Sequence, residues 1–293
     1  MVDFVTALWL GFLGACLGSF INVVAYRMPR GMSVVWKPSH CPKCGHPIRP
    51  RDNLPVLGWL LLRGRCRDCG EPIAPRYAIV EATLGAAFFM LAYVELFSGG
   101  ANLPGGPLTD SVGALNLVWR PHGLVIGTYA YHATLLCLLM AMALVDLDRG
   151  RIPGALVAVA LATVAVCSYQ WWNLYLERTR AIRVKELKAT VDALYGIVWG
   201  ATPALAAAAW LQMHGRRDAA ATLVRIGLAL GAVGGFLGLH AVVRITLIGL
   251  PLAIVLRALA RRCGGEIGFV APLWVATFVH ILFWKQLAEW ISW

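Results

Sequence analysis

The chain has 293 residues, of which 59% are hydrophobic and 14% are charged, and its formal net charge is +11. An average soluble domain is roughly half apolar and roughly a quarter charged, so the composition excludes a soluble globular enzyme, a disordered chain and a disulfide-rich secreted module. We therefore predict an all-α polytopic membrane protein in contact with the lipid bilayer. In so apolar a chain a positive balance is typical of cytoplasmic membrane loops, and we expect no nucleic-acid partner.

Apolar segments of about 20 residues are long enough to cross a bilayer as helices. The chain contains eight of them, at 4–25, 78–96, 124–145, 152–172, 194–213, 219–239, 241–260 and 267–287. The sixth and seventh segments are separated by His240 alone, so the break between these two could also fall elsewhere.

The distribution of basic residues predicts which helix ends face the cytoplasm. If the 26–77 loop lies in the cytoplasm, that side carries 17 lysines and arginines and the outer side carries seven. Five of the seven outer residues lie in the 173–190 stretch, which could form an amphipathic helix on the outer surface. We therefore expect both chain termini outside.

Two Cys-x-x-Cys pairs lie in the 26–77 loop, Cys41 with Cys44 and Cys66 with Cys69. Thiolates at i and i+3 of a tight turn can both face one ion, and two such turns complete a tetrahedral zinc site. A reducing cytoplasm also favours zinc over disulfides. We predict a structural zinc with these four ligands, which leaves no open position for a reacting water. The alternative is that a ligand is lost or that the thiols are redox-labile.

Catalysis must then be sought among the few acidic residues. Glu95 is assigned to the outer end of the second span, and five carboxylates fall at predicted cytoplasmic membrane boundaries: Glu81, Asp146, Asp148, Asp218 and Glu266. Carboxylates at such boundaries are costly unless they are paired or hydrated, so these are functional candidates. Solvated helix-end charge is the alternative for each. A transporter that relays protons would need acidic residues near span centres and repeated halves, and the sequence has neither.

Several strings in the chain resemble one family. Residues 17–81 contain LGSFINVVAYRMPRG, SHCPKCGHPI, RDNLPVLGWLLLRGRCRDCG and PIAPRYAIVE, and residues 143–153 read ALVDLDRGRIP. They are similar to the prepilin leader peptidases, the bifunctional membrane aspartyl peptidases and N-methyltransferases of type IV pilus and type II secretion systems. The resemblance implies an eight-span layout, and it identifies Asp146 as a catalytic aspartate with Asp148 as its neighbour.

The second motif of that family, Gly-x-Gly-Asp, has no identical counterpart in this chain. The nearest string is GRRD at 215–218, which keeps the first glycine and the aspartate. The string GGFLG at 234–238 resembles the segment downstream of the motif, and counting back from it reaches Ile226 rather than Asp218. Either some eight residues are inserted after Asp218, or the second aspartate is lost. Because Asp218 opens a helix on the same predicted face as Asp146, we predict that the two carboxylates face each other.

The resemblance implies an endopeptidase that removes the leader of type IV prepilin-like proteins at the cytoplasmic face of the bacterial inner membrane. It also implies N-methylation of the new amino terminus. Two adjacent carboxylates share a proton because both cannot ionise at close range, and such a pair can activate water. The implied cosubstrate is S-adenosylmethionine, and the implied partners are prepilin or pseudopilin leader peptides.

Two alternatives stay open around this site. The chain could be a peptidase-inactive relative that keeps a methyltransferase, binding or assembly role, because the second motif is degenerate. Arg225, seven residues after Asp218, could either snorkel or pair with a catalytic carboxylate.

The predicted domain organisation has four parts. These are a first transmembrane helix (1–25), a cytoplasmic four-cysteine zinc loop (26–77), a second transmembrane helix with an outer loop (78–123) and a six-helix peptidase membrane domain (124–293).

Overall fold

A computed structural model describes residues 1–36, 38–170, 185–262 and 267–290. Eleven α-helices run through these residues: α1 Val2–Arg27, α2 Leu57–Leu61, α3 Arg76–Leu91, α4 Ala114–Trp119, α5 Gly123–Leu147, α6 Gly154–Gln170, α7 Lys185–Met213, α8 Arg217–Leu237, α9 Leu239–Arg262, α10 Val270–Leu282 and α11 Trp284–Trp290. Helix α3 continues as a π-helical segment, Ala92–Phe97. Most of the 173–190 stretch, where a surface amphipathic helix is predicted, lies outside the described residues, as does Glu266.

The predicted all-α membrane fold is confirmed. Among the described residues six helices are long and apolar enough to span a bilayer, and two shorter apolar helices, Gly154–Cys167 and Val270–Leu282, occupy the fourth and eighth predicted segments. The break between the sixth and seventh segments falls at Gly238, which has a φ of 83°, and not at His240. A positive φ of this kind costs glycine little, because glycine has no Cβ.

The helices belong to two compact units, Met1–Tyr93 and Val94–Trp293, which are described separately. In the first unit α1 packs lengthwise on α3. A Cβ at Gly14 would lie 2.7 Å from the carbonyl oxygen of Leu84 and 2.6 Å from Cγ of Phe88. The absence of a side chain at Gly14 therefore sets the close approach of these two helices, which is how membrane helices commonly associate.

In the second unit α5 is the central helix, because most of its membrane-spanning length is buried by protein. It contacts α8 and α10, while α8 makes its most extensive contact with α7. The α7–α8 pair meets at Gly196 and Gly234, where a Cβ on either residue would overlap the carbonyl oxygen of the other. Small residues at this crossing let the two backbones touch.

The contact between Gly196 and Gly234 leads to a prediction about the stability of the fold. We expect Gly234→Ala to lower the free energy of unfolding by about 3 kcal/mol, the upper end of the cost of overpacking, because the obstacle is a backbone carbonyl that cannot rotate away. The matched control is Gly154→Ala, where nothing lies within 4 Å of the new Cβ. Thermal unfolding of the two variants in detergent would check this. Equal melting temperatures would contradict the packing argument.

Candidate zinc centre and aspartate site

The two cysteine pairs form two turns with matching backbone hydrogen bonds. In the first turn the N–H of Gly45 donates to the Cys41 carbonyl at 2.9 Å, and the Cys41 N–H donates to His46 at 3.0 Å. In the second turn the N–H of Gly70 donates to Cys66 at 3.0 Å, and the Cys66 N–H donates to Glu71 at 2.8 Å. Gly45 and Gly70 both have a φ of 72°. The two turns are therefore one local structure used twice.

The four thiols of Cys41, Cys44, Cys66 and Cys69 converge, with all four sulfurs within 4.8 Å of one another. The Sγ atoms of Cys41 and Cys69 lie 3.8 Å apart. Four sulfurs at about 2.3 Å from a tetrahedral zinc would be separated by roughly 3.8 Å. The predicted convergence is confirmed, and the donor set is compatible with zinc. A bound zinc would hold the loop together, and it would have no free position for a substrate or a water.

The thiols of this cluster do not ionise alike. Backbone N–H groups of Cys44 and Lys43 stabilise the Cys41 thiolate and lower its pKa to about 6. For Cys69 the N–H of Glu71 acts in the same direction, but desolvation and the three neighbouring sulfurs outweigh it and raise its pKa to about 12. The raised pKa of Cys69 follows in part from crowding four thiols together, and a metal ion would relieve that crowding by neutralising their charge.

The cluster predicts one zinc per chain. We expect replacement of any one of the four cysteines by serine, for example Cys66→Ser, to lower the zinc content severalfold and to open the 26–77 loop to proteolysis, because three thiolates leave the ion's fourth position to water. Cys137→Ser, a change to a free cysteine in α5, is the matched control and should keep its zinc. Elemental analysis of the purified chains measures the outcome. Full zinc content in Cys66→Ser would remove that residue from the ligand set.

Asp146 lies in the last turn of α5 and is only 4% exposed. Its Oδ1 accepts a hydrogen bond from Nε of Arg225 at 2.6 Å, which makes a buried ion pair. Its Oδ2 accepts hydrogen bonds from the N–H groups of Phe269 at 2.6 Å and Val270 at 3.1 Å. Val270 begins α10, and a helix amino terminus favours a negative charge. Both oxygens of this carboxylate are therefore occupied by donors.

The guanidinium of Arg225, on α8, also donates hydrogen bonds to groups other than Asp146. Its Nη1 donates to the carbonyl of Gly150 at 3.3 Å, in the connection from α5 to α6, and its Nη2 donates to Oγ1 of Thr222 at 3.0 Å. Arg225 as a whole residue is 8% exposed, so its guanidinium is held inside the second unit. Of the two alternatives for Arg225, the ion pair is the one that forms, and its partner is Asp146.

Asp218 is found in the first turn of α8 and is exposed. Seven residues separate it from Arg225, which is about 10 Å along the helix axis. The structure therefore brings Arg225, the residue beside Ile226, to Asp146, and it does not pair Asp218 with Asp146. The catalytic roles of Asp146 and Asp218 remain predictions. Asp148 caps the end of α5 and is exposed.

The sequence analysis missed two features of the second unit. The first is the pair of backbone N–H donors at Phe269 and Val270, which no side chain in the sequence could indicate. Gly268 precedes them, and a Cβ at this position would overlap Oδ2 of Asp146. The second is Glu95, which is fully buried. Its Oε1 accepts a hydrogen bond from Nδ1 of His132 at 2.6 Å. The available signal was His132, the tenth residue of the apolar helix α5. A polar side chain buried in such a helix needs a hydrogen-bond partner.

The fold and the cysteine cluster define a multi-pass helical membrane protein with a four-thiol cluster, compatible with a zinc ion, on the loop between its first two spans. Residues 12–95 match the family model for the bacterial peptidase A24 N-terminal domain. The proteins named prepilin leader peptidase/N-methyltransferase are similar to this chain, so the resemblance seen in the motifs is confirmed.

Three of these relatives illustrate the extent of the similarity. The protein from Pseudomonas aeruginosa is 26% identical over 304 residues, which cover 94% of this chain and 90% of that protein. The Myxococcus xanthus protein is 38% identical over 162 residues, 53% of this chain and 40% of that protein. The Klebsiella pneumoniae protein is 40% identical over 108 residues, which cover 34% of this chain and 46% of that protein. The chain thus spans less than half the length of the latter two. No solved structure matches it.

Proposed function

We propose that this chain processes prepilin-like proteins at the cytoplasmic face of the bacterial inner membrane, by cleaving their leader peptide and N-methylating the new amino terminus. The observation that carries the proposal is the similarity over 94% of the chain to a protein named prepilin leader peptidase/N-methyltransferase. The excess of basic residues in the 26–77 loop supports the cytoplasmic orientation. In this proposal zinc holds that loop, and S-adenosylmethionine supplies the methyl group.

Leader cleavage by this chain would use Asp146 and Asp218 as a pair with one shared proton. The ionised carboxylate takes a proton from water, whose oxygen attacks the scissile carbonyl carbon, while the protonated partner donates to the carbonyl oxygen. The C–N bond then breaks and the departing amine takes up a proton. Acid and base roles belong to the pair rather than to either residue.

For that reaction Arg225 must leave Asp146. Its Nε occupies Oδ1 at 2.6 Å, where the second carboxyl group has to approach. Asp218 is on the same helix and exposed, so a displacement of the first three turns of α8, which include Arg225, with substrate bound would exchange one partner for the other. The proposal therefore includes a conformational step that releases the ion pair before cleavage.

The ion pair specifically favours a second candidate. If Arg225 is the permanent partner of Asp146, the chain is a peptidase-inactive relative that retains a methyltransferase, binding or assembly role. Asp146 would then be a structural residue that joins α5, α8 and the start of α10. The two candidates share the membrane fold and the cysteine cluster, and leader cleavage is the activity that always distinguishes them.

One experiment separates the two candidates. The purified full chain in lipid nanodiscs is incubated with a prepilin from the same organism and S-adenosylmethionine, and mass spectrometry measures leader loss and added methyl groups. Leader loss supports the peptidase, and methylation of a synthetic pre-cut pilin without leader loss supports the second candidate. If neither the leader is cut nor the pre-cut pilin methylated, both enzymatic proposals fail.

A further inference from the structure

The 26–77 loop contains an uninterrupted apolar run, residues 54–62, which reads LPVLGWLLL. The short helix α2 lies within this run. An apolar run that is too short to span a bilayer is typical either of a buried core helix or of a segment that lies in the membrane interface. The contacts of α2 decide between these two interpretations.

Only one face of α2 packs against the loop. On that face a Cβ at Gly58 would overlap the carbonyl oxygen of Asp52. Nε1 of Trp59 donates a hydrogen bond to the carbonyl of Ile73 at 3.0 Å. The opposite face, which we call the leucine face, has exposed fractions of 53%, 55% and 73% at Leu57, Leu60 and Leu61. Adjacent exposed apolar side chains of this kind mark a contact with protein or membrane, so α2 is not a core helix.

One hydrogen bond ties the start of α2 to the side of a membrane-spanning helix. The N–H of Val56, the residue before α2, donates to Oε2 of Glu81 at 2.7 Å. Glu81 is 9% exposed and belongs to α3. It also lies against α1, because a Cβ at Gly18 would be 2.9 Å from Cα of Glu81. The start of α2 is therefore beside the helix pair α1–α3 and not beyond its end.

The position of Glu81 along α3 gives the depth of this contact. The candidate span Arg76–Phe97 has 22 residues, so it is about 33 Å long and only just crosses a hydrocarbon core of about 30 Å. Glu81 lies five residues after Arg76, which is about 7 Å along the helix axis. Interfacial helices lie with their apolar face about 5–10 Å inside the boundary between headgroups and acyl chains. The start of α2 is at that depth.

The backbone of this segment is suited to a place with little water. The N–H groups of Gly58, Leu60 and Leu62 donate to carbonyls within residues 54–62, at 2.7, 3.1 and 3.0 Å. Glu81 supplies the acceptor for Val56, whose φ of 62° is one that a β-branched residue rarely adopts. An unsatisfied backbone group in hydrocarbon costs several kcal/mol. The Glu81 carboxylate therefore removes a cost that the short helix could not remove by itself.

We propose that the leucine face of α2 inserts into the lipid leaflet on the side of the 26–77 loop, so that α2 anchors this loop at the boundary between headgroups and acyl chains. Exposed apolar side chains at the same level of α1 and α3, Phe20 and Ile79, continue the surface toward the lipid. Arg63 and Arg65 follow α2, are exposed, and can reach the headgroups. The cysteine cluster is thereby held at the membrane surface. Neither leader cleavage nor methylation is needed for this lipid contact.

Photocrosslinking of the full chain in nanodiscs of phosphatidylethanolamine and phosphatidylglycerol tests the proposal. Benzoylphenylalanine, which attaches to neighbouring C–H groups on irradiation, replaces Leu60 or Leu61. The controls carry it at Leu8, an exposed position within α1, or at Lys43, an exposed position in the first cysteine turn. We expect lipid adducts at the two α2 positions within about threefold of the Leu8 yield and at least about tenfold above the Lys43 yield, because the leucine face lies among acyl chains. Mass spectrometry measures the adducts, and melting temperatures verify folding.

The nature of the adduct decides the depth. After alkaline hydrolysis of the lipid esters, a fatty acid that stays on the chain supports insertion, and attachment to headgroups alone overturns it. Crosslinks within the chain or between two copies, in place of lipid adducts at both α2 positions, also overturn the proposal, because protein then covers the leucine face.

A second pair of variants tests the part played by Glu81. Glu81→Leu removes the acceptor of the Val56 N–H, and we expect it to lower the lipid adduct yield at Leu61 at least about threefold, because the donor then has to seek water. Glu81→Gln keeps an acceptor oxygen and is the matched control, with the yield of the unmodified chain. Equal yields in both variants would overturn the role of Glu81 in holding α2 at this depth.

Discussion

Asp218→Asn and Asp146→Asn are each expected to lower the rate of leader cleavage by at least about 10³-fold, because loss of one member of a catalytic unit removes nearly all of the unit's effect. An amide cannot accept the proton that a paired carboxylate takes from water. The Asp218 variant is the more informative of the two. Its side chain is exposed, so the substitution should leave stability within about 0.5 kcal/mol, and lost cleavage cannot then be attributed to unfolding.

The matched control is Asp110→Asn, which removes another exposed carboxylate in the loop between α3 and α4. We expect it to cleave at the unmodified rate. The measurement is initial leader loss from a cognate prepilin, with melting temperature and zinc content recorded for every variant. Full cleavage by Asp218→Asn would remove it from the mechanism and require another partner for Asp146. An unmodified chain that never cleaves would support the second candidate function.

Arg225→Met is expected to destabilise the second unit by about 3–5 kcal/mol, because it leaves the Asp146 carboxylate buried without its cation. Asp146→Leu should cost a comparable amount, because the guanidinium is then the uncompensated charge. The double substitution should cost less than the sum, since apolar replacement of a whole buried pair is often close to neutral. We expect a coupling energy of about 2 kcal/mol or more, which a double-mutant cycle on thermal unfolding in nanodiscs would measure.

Arg217→Met is the control for this cycle, because Arg217 is an exposed arginine at the start of the same helix. We expect it to change stability by no more than about 0.5 kcal/mol. Additive effects of the Asp146 and Arg225 substitutions would mean that the ion pair does not contribute to the folded state. Such a result would favour the exchange of Arg225 for Asp218 at low energetic cost, as the peptidase mechanism requires.

The local parts of this protein could be predicted from its sequence. Hydropathy located most of the long helices to within a few residues, because a membrane helix must satisfy its own backbone and present apolar side chains along its whole length. Helix α7 is the exception, since it begins at Lys185 and the predicted segment begins at residue 194. The spacing of Cys41, Cys44, Cys66 and Cys69 indicated the metal cluster, because a Cys-x-x-Cys turn directs its two thiols to one side wherever it occurs. Asp146 was placed correctly at the end of α5. Each of these features depends on residues close together in the chain.

The partner of Asp146 was decided only by the tertiary structure. Arg225 is 79 residues away in sequence. Whether Arg225 or Asp218 meets Asp146 depends on the position of α8 along α5. The backbone contact of Gly196 with Gly234 and the packing of α10 determine that position together. The donors at Phe269 and Val270 are backbone groups that any sequence possesses. The pairing of Glu95 with His132, 37 residues apart, likewise follows from helix packing. Hydropathy carries no information on such choices, because helices that slide by one turn keep the same apolar surface while their polar side chains change partners.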